Sequence, residues 1–221
     1  MSKLYFSLIF LFIVFQKGNG QSLEKGVTSD KSYFAKKVTA RFNFTGVADP
    51  YDQNISVGGE YRFNPHWSAG SDVGYIFKSY YLSESKYARG IILRPFIRYY
   101  FEKNRNGFLE AVINYKYVSY EITDWIGKEI SNGMPAYEEY STFHFIKQTY
   151  GLNFKAGTAA NLTRNERLRL EFYAGLGIRF KNQGADIGSY TRRRGLFGGL
   201  YDPKYSTVVL PMGMRLVYDI K

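Results

Sequence analysis

The sequence predicts an all-β protein, an eight-stranded antiparallel up-and-down transmembrane β-barrel with a polar interior, short periplasmic turns and longer outer loops. Three observations carry this expectation. From Lys37 onward apolar and polar residues alternate with a period of two almost without a break, as in strands whose two faces meet different surroundings. The connections between these segments are alternately tight and long, the plan of an outer-membrane barrel. The charged face also carries Gly58, Gly70, Gly74, Gly151, Gly157, Gly175, Gly177 and Gly213. Glycine weakens a strand and has no packing purpose on a watery exterior, but it makes room in a narrow interior crossed by long side chains.

Composition narrows the choice further. At 221 residues with no compositional break, one domain is expected. Aromatics reach 19%, with 21 tyrosines and 22 glycines, and no apolar run approaches the roughly 20 residues of a spanning helix. Absence of cysteine excludes disulfides, thiolate metal sites and a lipid-modified amino-terminal cysteine. The formal charge of +11 attracts lipid phosphates as readily as nucleic acid. Its basic residues are scattered through the strands, not gathered in a stripe, so no nucleic-acid partner is expected.

Residues 1–20 read as a secretory signal. Lys3 is the positive region, residues 4–15 are an apolar run broken only by Ser7, and Gly18-Asn19-Gly20 offers small residues for cleavage before Gln21. Taking Lys3 and Lys17 from +11 leaves the mature chain at +9. Residues 21–36 form a polar lead-in, and residues 37–221 the β-barrel domain. In the first strand Val38, Ala40, Phe42 and Phe44 oppose Thr39, Arg41, Asn43 and Thr45. A hairpin follows, with Ile55, Val57, Gly59, Tyr61 and Phe63 before the turn Asn64-Pro65-His66 and Trp67, Ala69, Val73, Tyr75 and Phe77 after it. Four further alternating segments lie near residues 91–102, 109–117, 147–157 and 168–181, and the eighth ends at Ile220. Tight turns are expected at Asn64-Pro65-His66, 103–107 and 163–167, and longer loops at 46–53, 83–89, 124–145 and 182–206.

The same alternation would suit a soluble lipid-binding barrel with its faces reversed. The glycines among the charges favour the polar-inside sense. So do Phe63, Trp67, Tyr99, Phe101 and Tyr218, which gather near the short-turn ends of the apolar face as an interfacial girdle would.

Gly58-Gly59-Glu60-Tyr61-Arg62-Phe63, Trp67-Ser68-Ala69-Gly70, Arg94-Pro95 and Arg98-Tyr99-Tyr100-Phe101 together resemble an uncharacterised family of small Bacteroidetes outer-membrane barrels, similar in architecture to the outer-membrane protein A and X barrels. Residues 54–102 carry the resemblance best. The ending Gly213-x-x-Leu216-x-Tyr218 resembles the signal read by the barrel-assembly machinery, but closes on Ile220-Lys221 in place of an aromatic residue. The resemblance implies an outer-membrane location, and it implies no activity.

Parity assigns to the interior the bases Arg41, Arg62, Lys78, Arg94, Arg98, Lys116, Lys147, Lys155, Arg169, Arg179, Lys181 and Arg215, with the acids Glu60, Asp72, Glu102, Glu110, Glu171 and Asp219. These are read as a salt-bridge network plugging the lumen, since eight strands enclose a space that side chains fill; the competing reading is a small anion-selective pore. Arg192-Arg193-Arg194 in the last long loop is a candidate contact for lipopolysaccharide phosphates or an acidic partner. An enzyme of the lipid A deacylase kind would have to use Ser141, His144 and Glu138, but residues three apart in a strand point to opposite faces, so no catalytic site is expected. No cofactor is expected, and no metal site, because no His, Asp and Glu spacing forms one. The expected whole is a monomer in the bacterial outer membrane, touching lipid and lipopolysaccharide, with a structural or surface-interaction role. The alternatives are a small lipid-modifying enzyme and a soluble periplasmic lipid carrier.

Overall fold

The computed structural model describes residues 38–49, 51–80, 85–101, 106–131, 134–185 and 204–220, which belong to one compact unit. The expected signal, the lead-in, the interior acid Glu102 and Arg192-Arg193-Arg194 lie outside the described residues. The rest is a single antiparallel sheet of nine strands that closes into a ring. In chain order these are β1 (Val38–Asn43), β2 (Asp52–Arg62), β3 (Trp67–Ser79), β4 (Ser85–Tyr100), β5 (Gly107–Ser131), β6 (Met134–Asn161), β7 (Leu168–Ala185), β8 (Lys204–Val209) and β9 (Met212–Ile220). Each strand from β1 to β7 pairs with the next, and β9 closes the ring between β7 and β1.

Two strands stand where one was expected at the carboxyl end. β9 pairs with β7 up to Met212 opposite Ala174, and β8 pairs with it from Val209 opposite Gly177. Leu210 and Pro211 fall between them. Proline has no N–H to give to a ladder and is found at edges and breaks in sheets, so the pairing stops there and resumes on the far side.

The loop expected over 124–145 is a hairpin. β5 and β6 stay in register from Gly107 opposite Thr158 up to Ser131 opposite Met134. Mixed polar and aromatic residues hide its alternation, but cross-strand pairs sustain it: Trp125 packs on Tyr140 with ring centres 5.3 Å apart, and Thr123 and Thr142 hydroxyls meet at 2.9 Å. Two other long connections are also shorter than expected, because β4 begins at Ser85 and β7 runs to Ala185, whereas that between β1 and β2 keeps its expected length.

Alternation sorts the side chains as predicted, with one exception. Outward residues such as Val57, Tyr61, Val73, Ile91, Leu93, Ile113, Leu152, Phe154, Leu176 and Ile178 are exposed, while Glu60, Asp72, Arg98, Glu110, Glu171 and Arg215 are buried. Lys78 is the exception. Gln53 pairs with Lys78, yet Asn54 pairs with Ile76. Phe77 is therefore the extra residue of a β-bulge, which reverses the parity beyond it. Lys78 is exposed, with its Nζ 4.6 Å from the centre of the Tyr80 ring, and Ser79 turns inward.

Candidate functional site

The inward residues of β5 sample the interior from the turn end to the loop end: Phe108, Glu110, Val112, Asn114, Lys116, Val118, Tyr120 and Ile122, all buried. They pass through an ionic layer, a polar cavity and an apolar plug.

In the ionic layer four cations meet four carboxylates. Glu110 is the hub: it is reached by Arg98 at 2.5 Å, Arg215 at 2.9 Å, Arg41 at 3.2 Å and Lys155 at 3.4 Å. Glu171 binds Arg215 at 2.6 Å and Arg98 at 3.0 Å. Glu60 binds Arg98 at 3.2 Å and accepts from Ser68 Oγ at 2.7 Å, and Asp72 binds Arg41 at 3.1 Å. The side chains of Arg98, Glu110, Glu171 and Arg215 have no solvent exposure. Charges withdrawn from water so completely are tolerated only when balanced and hydrogen-bonded. Nearer the turn end Arg169 pairs with Asp219 at 2.8 Å, and Thr39 Oγ1 donates to Asp219 at 3.1 Å.

Aromatic rings share this layer. Arg41 lies 3.7 Å from the centre of Phe96, Arg98 4.1 Å from Phe108, and Arg62 3.9 Å from Tyr100. Such cation–π contacts strengthen where water is excluded. The inward glycines are explained by these rings as much as by the charges. A Cβ at Gly70 would lie 2.5 Å from Phe96 Cζ, and one at Gly157 would strike the Phe108 ring.

At the loop end β3 to β6 contribute Ile76, Ala88, Ile92, Val118, Tyr120, Ile122, Ile126, Phe143 and Phe145 to one buried apolar cluster. At its margin Asp52 binds Lys116 at 2.8 Å and Lys147 at 3.6 Å and accepts from Ser79 Oγ at 2.6 Å.

Between these layers is a cavity of about 480 Å³, lined by Asn43, Asn54, Asn114, Asn153, Arg94, Lys155, Tyr173 and Arg179, and bordered on one side by Thr45, Gly46, Ala48 and Asp49 and by Val209, Leu210, Pro211 and Met212. Arg94 donates to Asn114 Oδ1 at 3.1 Å and to Ser56 Oγ at 3.4 Å. Neither Arg94 nor Arg179 has a carboxylate within 4.0 Å among the described residues.

Of the interior charges expected from sequence, Arg41, Glu60, Asp72, Arg98, Glu110, Glu171 and Arg215 come together, and Arg169 pairs separately. Arg62 stacks on Tyr100, while Arg94 and Arg179 face the cavity. Lys78 points out. Ser141 and His144 lie in β6 and not in a loop. Ser141 shares the face of buried Phe143 and Phe145 only by parity, and exposed His144 takes the other face, so that strand does not bring them together. Glu138 lies further out, opposite Gly127. No group of three or more His, Asp or Glu able to hold a metal occurs among the described residues.

Sequence reading overlooked the inward rings Phe96, Tyr100 and Phe108 and the asparagines of the cavity. Parity marked both, since Phe96 and Tyr100 alternate with Arg94 and Arg98, and Asn114 and Asn153 stand among inward charges. Comparison with protein-family models, curated proteins and solved structures gives no match.

Proposed function

We propose that the closed sheet is an eight-stranded transmembrane β-barrel of a bacterial outer membrane, with β8 and β9 as one interrupted strand, and that it serves a structural or surface-interaction role with its lumen plugged. One observation carries this reading: exposed apolar side chains surround a sheet whose buried interior is ionic, the inverse of a water-soluble barrel.

Dimensions support it. The outward residues of β5 are Leu109, Ala111, Ile113, Tyr115 and Tyr117, after which Ser119, Glu121 and Thr123 follow. Eight steps at about 3.4 Å, tilted by about 40°, rise roughly 21 Å, close to the ~25 Å apolar band of such barrels. Aromatic groups mark both edges. Trp67 and Tyr99 pack at 5.1 Å and Tyr99 and Phe101 at 6.0 Å near the short turns, and Tyr115 and Tyr150 at 5.1 Å near the opposite edge. Beyond that edge the hairpin of β5 and β6 carries Asp124, Lys128, Glu129, Glu138 and Glu139 and is the natural surface for contacts outside the cell.

On this reading the leader is cleaved before Gln21, the barrel-assembly machinery inserts the chain as a monomer, and Arg192-Arg193-Arg194 meets lipopolysaccharide phosphates. The ionic layer and apolar cluster argue against a conducting pore, because buried side chains occupy the interior at both levels. Detergent-extracted outer membranes test the location: a band whose migration changes on boiling is expected, whereas a protein that stays soluble without detergent would sink the reading. In planar bilayers no stable conductance is expected, and a steady ohmic current would refute the plug.

A further inference from the structure

The ring wall is incomplete on one side. β1 is short, pairing with β2 only between Asn43 opposite Ser56 and Val38 opposite Tyr61. Its place above Asn43 is taken by a single 3-10 turn, Thr45–Ala48. Across from it, β8 pairs with β7 alone among the described residues, and Leu210 and Pro211 interrupt the strand. The polar cavity lies between these two irregular flanks and is lined by both. Seven residue pairs of β7 and β9 separate the break from the turn end. At about 3.4 Å each and a tilt of about 40°, that is roughly 18 Å, in the outer part of a ~25 Å apolar band.

The cavity wall is an unfinished hydrogen-bonding surface with excess positive charge. Buried Asn114 Nδ2, Asn153 Oδ1 and Arg179 Nε have no partner, although buried polar groups are nearly always satisfied. Neither Arg94 nor Arg179 has a carboxylate within 4.0 Å among the described residues, Lys155 is already held by Glu110 at 3.4 Å, and Asp49, which also lines the cavity, accepts from the backbone N–H groups of Tyr51 and Asp52. Two guanidinium groups with free donor capacity suit a phosphate or carboxylate. Outside the gap Val208, Leu210 and Met212 are exposed, the first by 75%.

From this juxtaposition, and resting on the membrane reading above, we infer that the cavity binds the phosphate head of an anionic amphiphile that enters sideways between the Thr45–Ala48 turn and the Leu210-Pro211 break. Arg94 and Arg179 hold the anion, Asn114 Nδ2 donates to a neighbouring oxygen, and its chains lie along Val208 and Met212.

The test uses the mature protein in nanodiscs of phosphatidylcholine with phosphatidic acid or with diacylglycerol, and native mass spectrometry of the released protein. Retention of phosphatidic acid over both other lipids is expected. The double variant Arg94→Gln/Arg179→Gln should weaken it by about tenfold or more, and Asn153→Asp, which places a carboxylate in the cavity, should do the same. Equal retention of all three lipids overturns the inference, as does undiminished retention in both variants that still show the heat-modifiable band. Displacement of phosphatidic acid by equimolar inorganic phosphate would mean a soluble anion is the occupant, and overturns the amphiphile assignment. Failure of the unaltered protein to enter nanodiscs overturns the membrane reading and this inference with it; lost lipid selectivity in the inserted protein overturns this inference alone.

Discussion

Arg98 and Glu110 are register partners across β4 and β5 and close an ion pair of 2.5 Å with neither side chain exposed. Glu110 also receives Arg41, Arg215 and Lys155, so removing its charge leaves four cations facing three carboxylates. Glu110→Gln is expected to destabilise the folded protein by about 3–5 kcal/mol, the usual cost of breaking a buried pair. Unfolding in urea, followed by the heat-modifiable band, measures this. A loss below about 1 kcal/mol would mean that the layer relaxes or admits water.

Replacing the pair tests a different quantity. Arg98→Met with Glu110→Leu removes both charges of the central contact, and swapping a buried pair for apolar residues is often near neutral. Here Glu171 and Glu60 also depend on Arg98. The double variant is therefore expected to be less damaged than the sum of the two single ones, but still less stable than the unaltered chain. A double-mutant cycle reads the coupling directly.

Gly157→Ala should be costly although alanine is small. Its methyl would meet the Phe108 ring, whose other neighbours include Arg98 and Tyr100. Overpacking of this kind costs about 1–3 kcal/mol. Adding Phe108→Leu should recover part of that loss, and the order of the three midpoints in denaturant checks it.

Salt should separate interior from surface. The ion pairs of the ionic layer are inaccessible to counterions, so their contribution should not change between low and high ionic strength. The pair of Lys128 and Glu139, 3.4 Å apart with side chains 37% and 53% exposed, is expected to contribute about 0–1 kcal/mol. Lys128→Ala should thus leave the unfolding midpoint nearly unmoved at any salt concentration.

Shortening the projecting hairpin should spare the ring. Beyond Tyr117 and Gln148 its outward side chains are mixed polar and aromatic, but Ile122, Ile126 and Phe143 help fill the apolar cluster. Removing residues 128–137 and joining the register partners Gly127 and Glu138 through Asn-Gly keeps those three and the strand register. The shortened protein is expected to fold and retain its heat-modifiable band. A chain that no longer folds would show that the tip is needed to form the β5 and β6 pairing.

Much of this was legible in the linear chain. Period-two alternation located the inward charges, the outward apolar face and seven of the strands, because a strand must send successive side chains to opposite sides. It failed where one residue changes the geometry. Phe77 reverses parity through a bulge that no local signal announces, so alternation alone puts Lys78 in the interior. Pro211 was visible, but not that the ladder would resume beyond it on the same neighbour. The hairpin at residues 124–145 was hidden because, clear of the apolar band, neither face needs to be uniformly apolar.

The alternation, the two-faced sheet and the supply of interior charge are written in the linear chain, because all three follow from local strand geometry. The tertiary structure decided which charges meet. Arg98 meets Glu110, and Arg215 meets Glu171, across neighbouring strands, but closure of the ring is what brings these two pairs and Arg41 within ion-pair distance of one another. Closure likewise leaves Arg94 and Arg179 without a carboxylate within 4.0 Å among the described residues, in a cavity beside a break in the strand wall. Electrostatic balance in a buried space depends on distances across the ring, and no spacing along the chain encodes them.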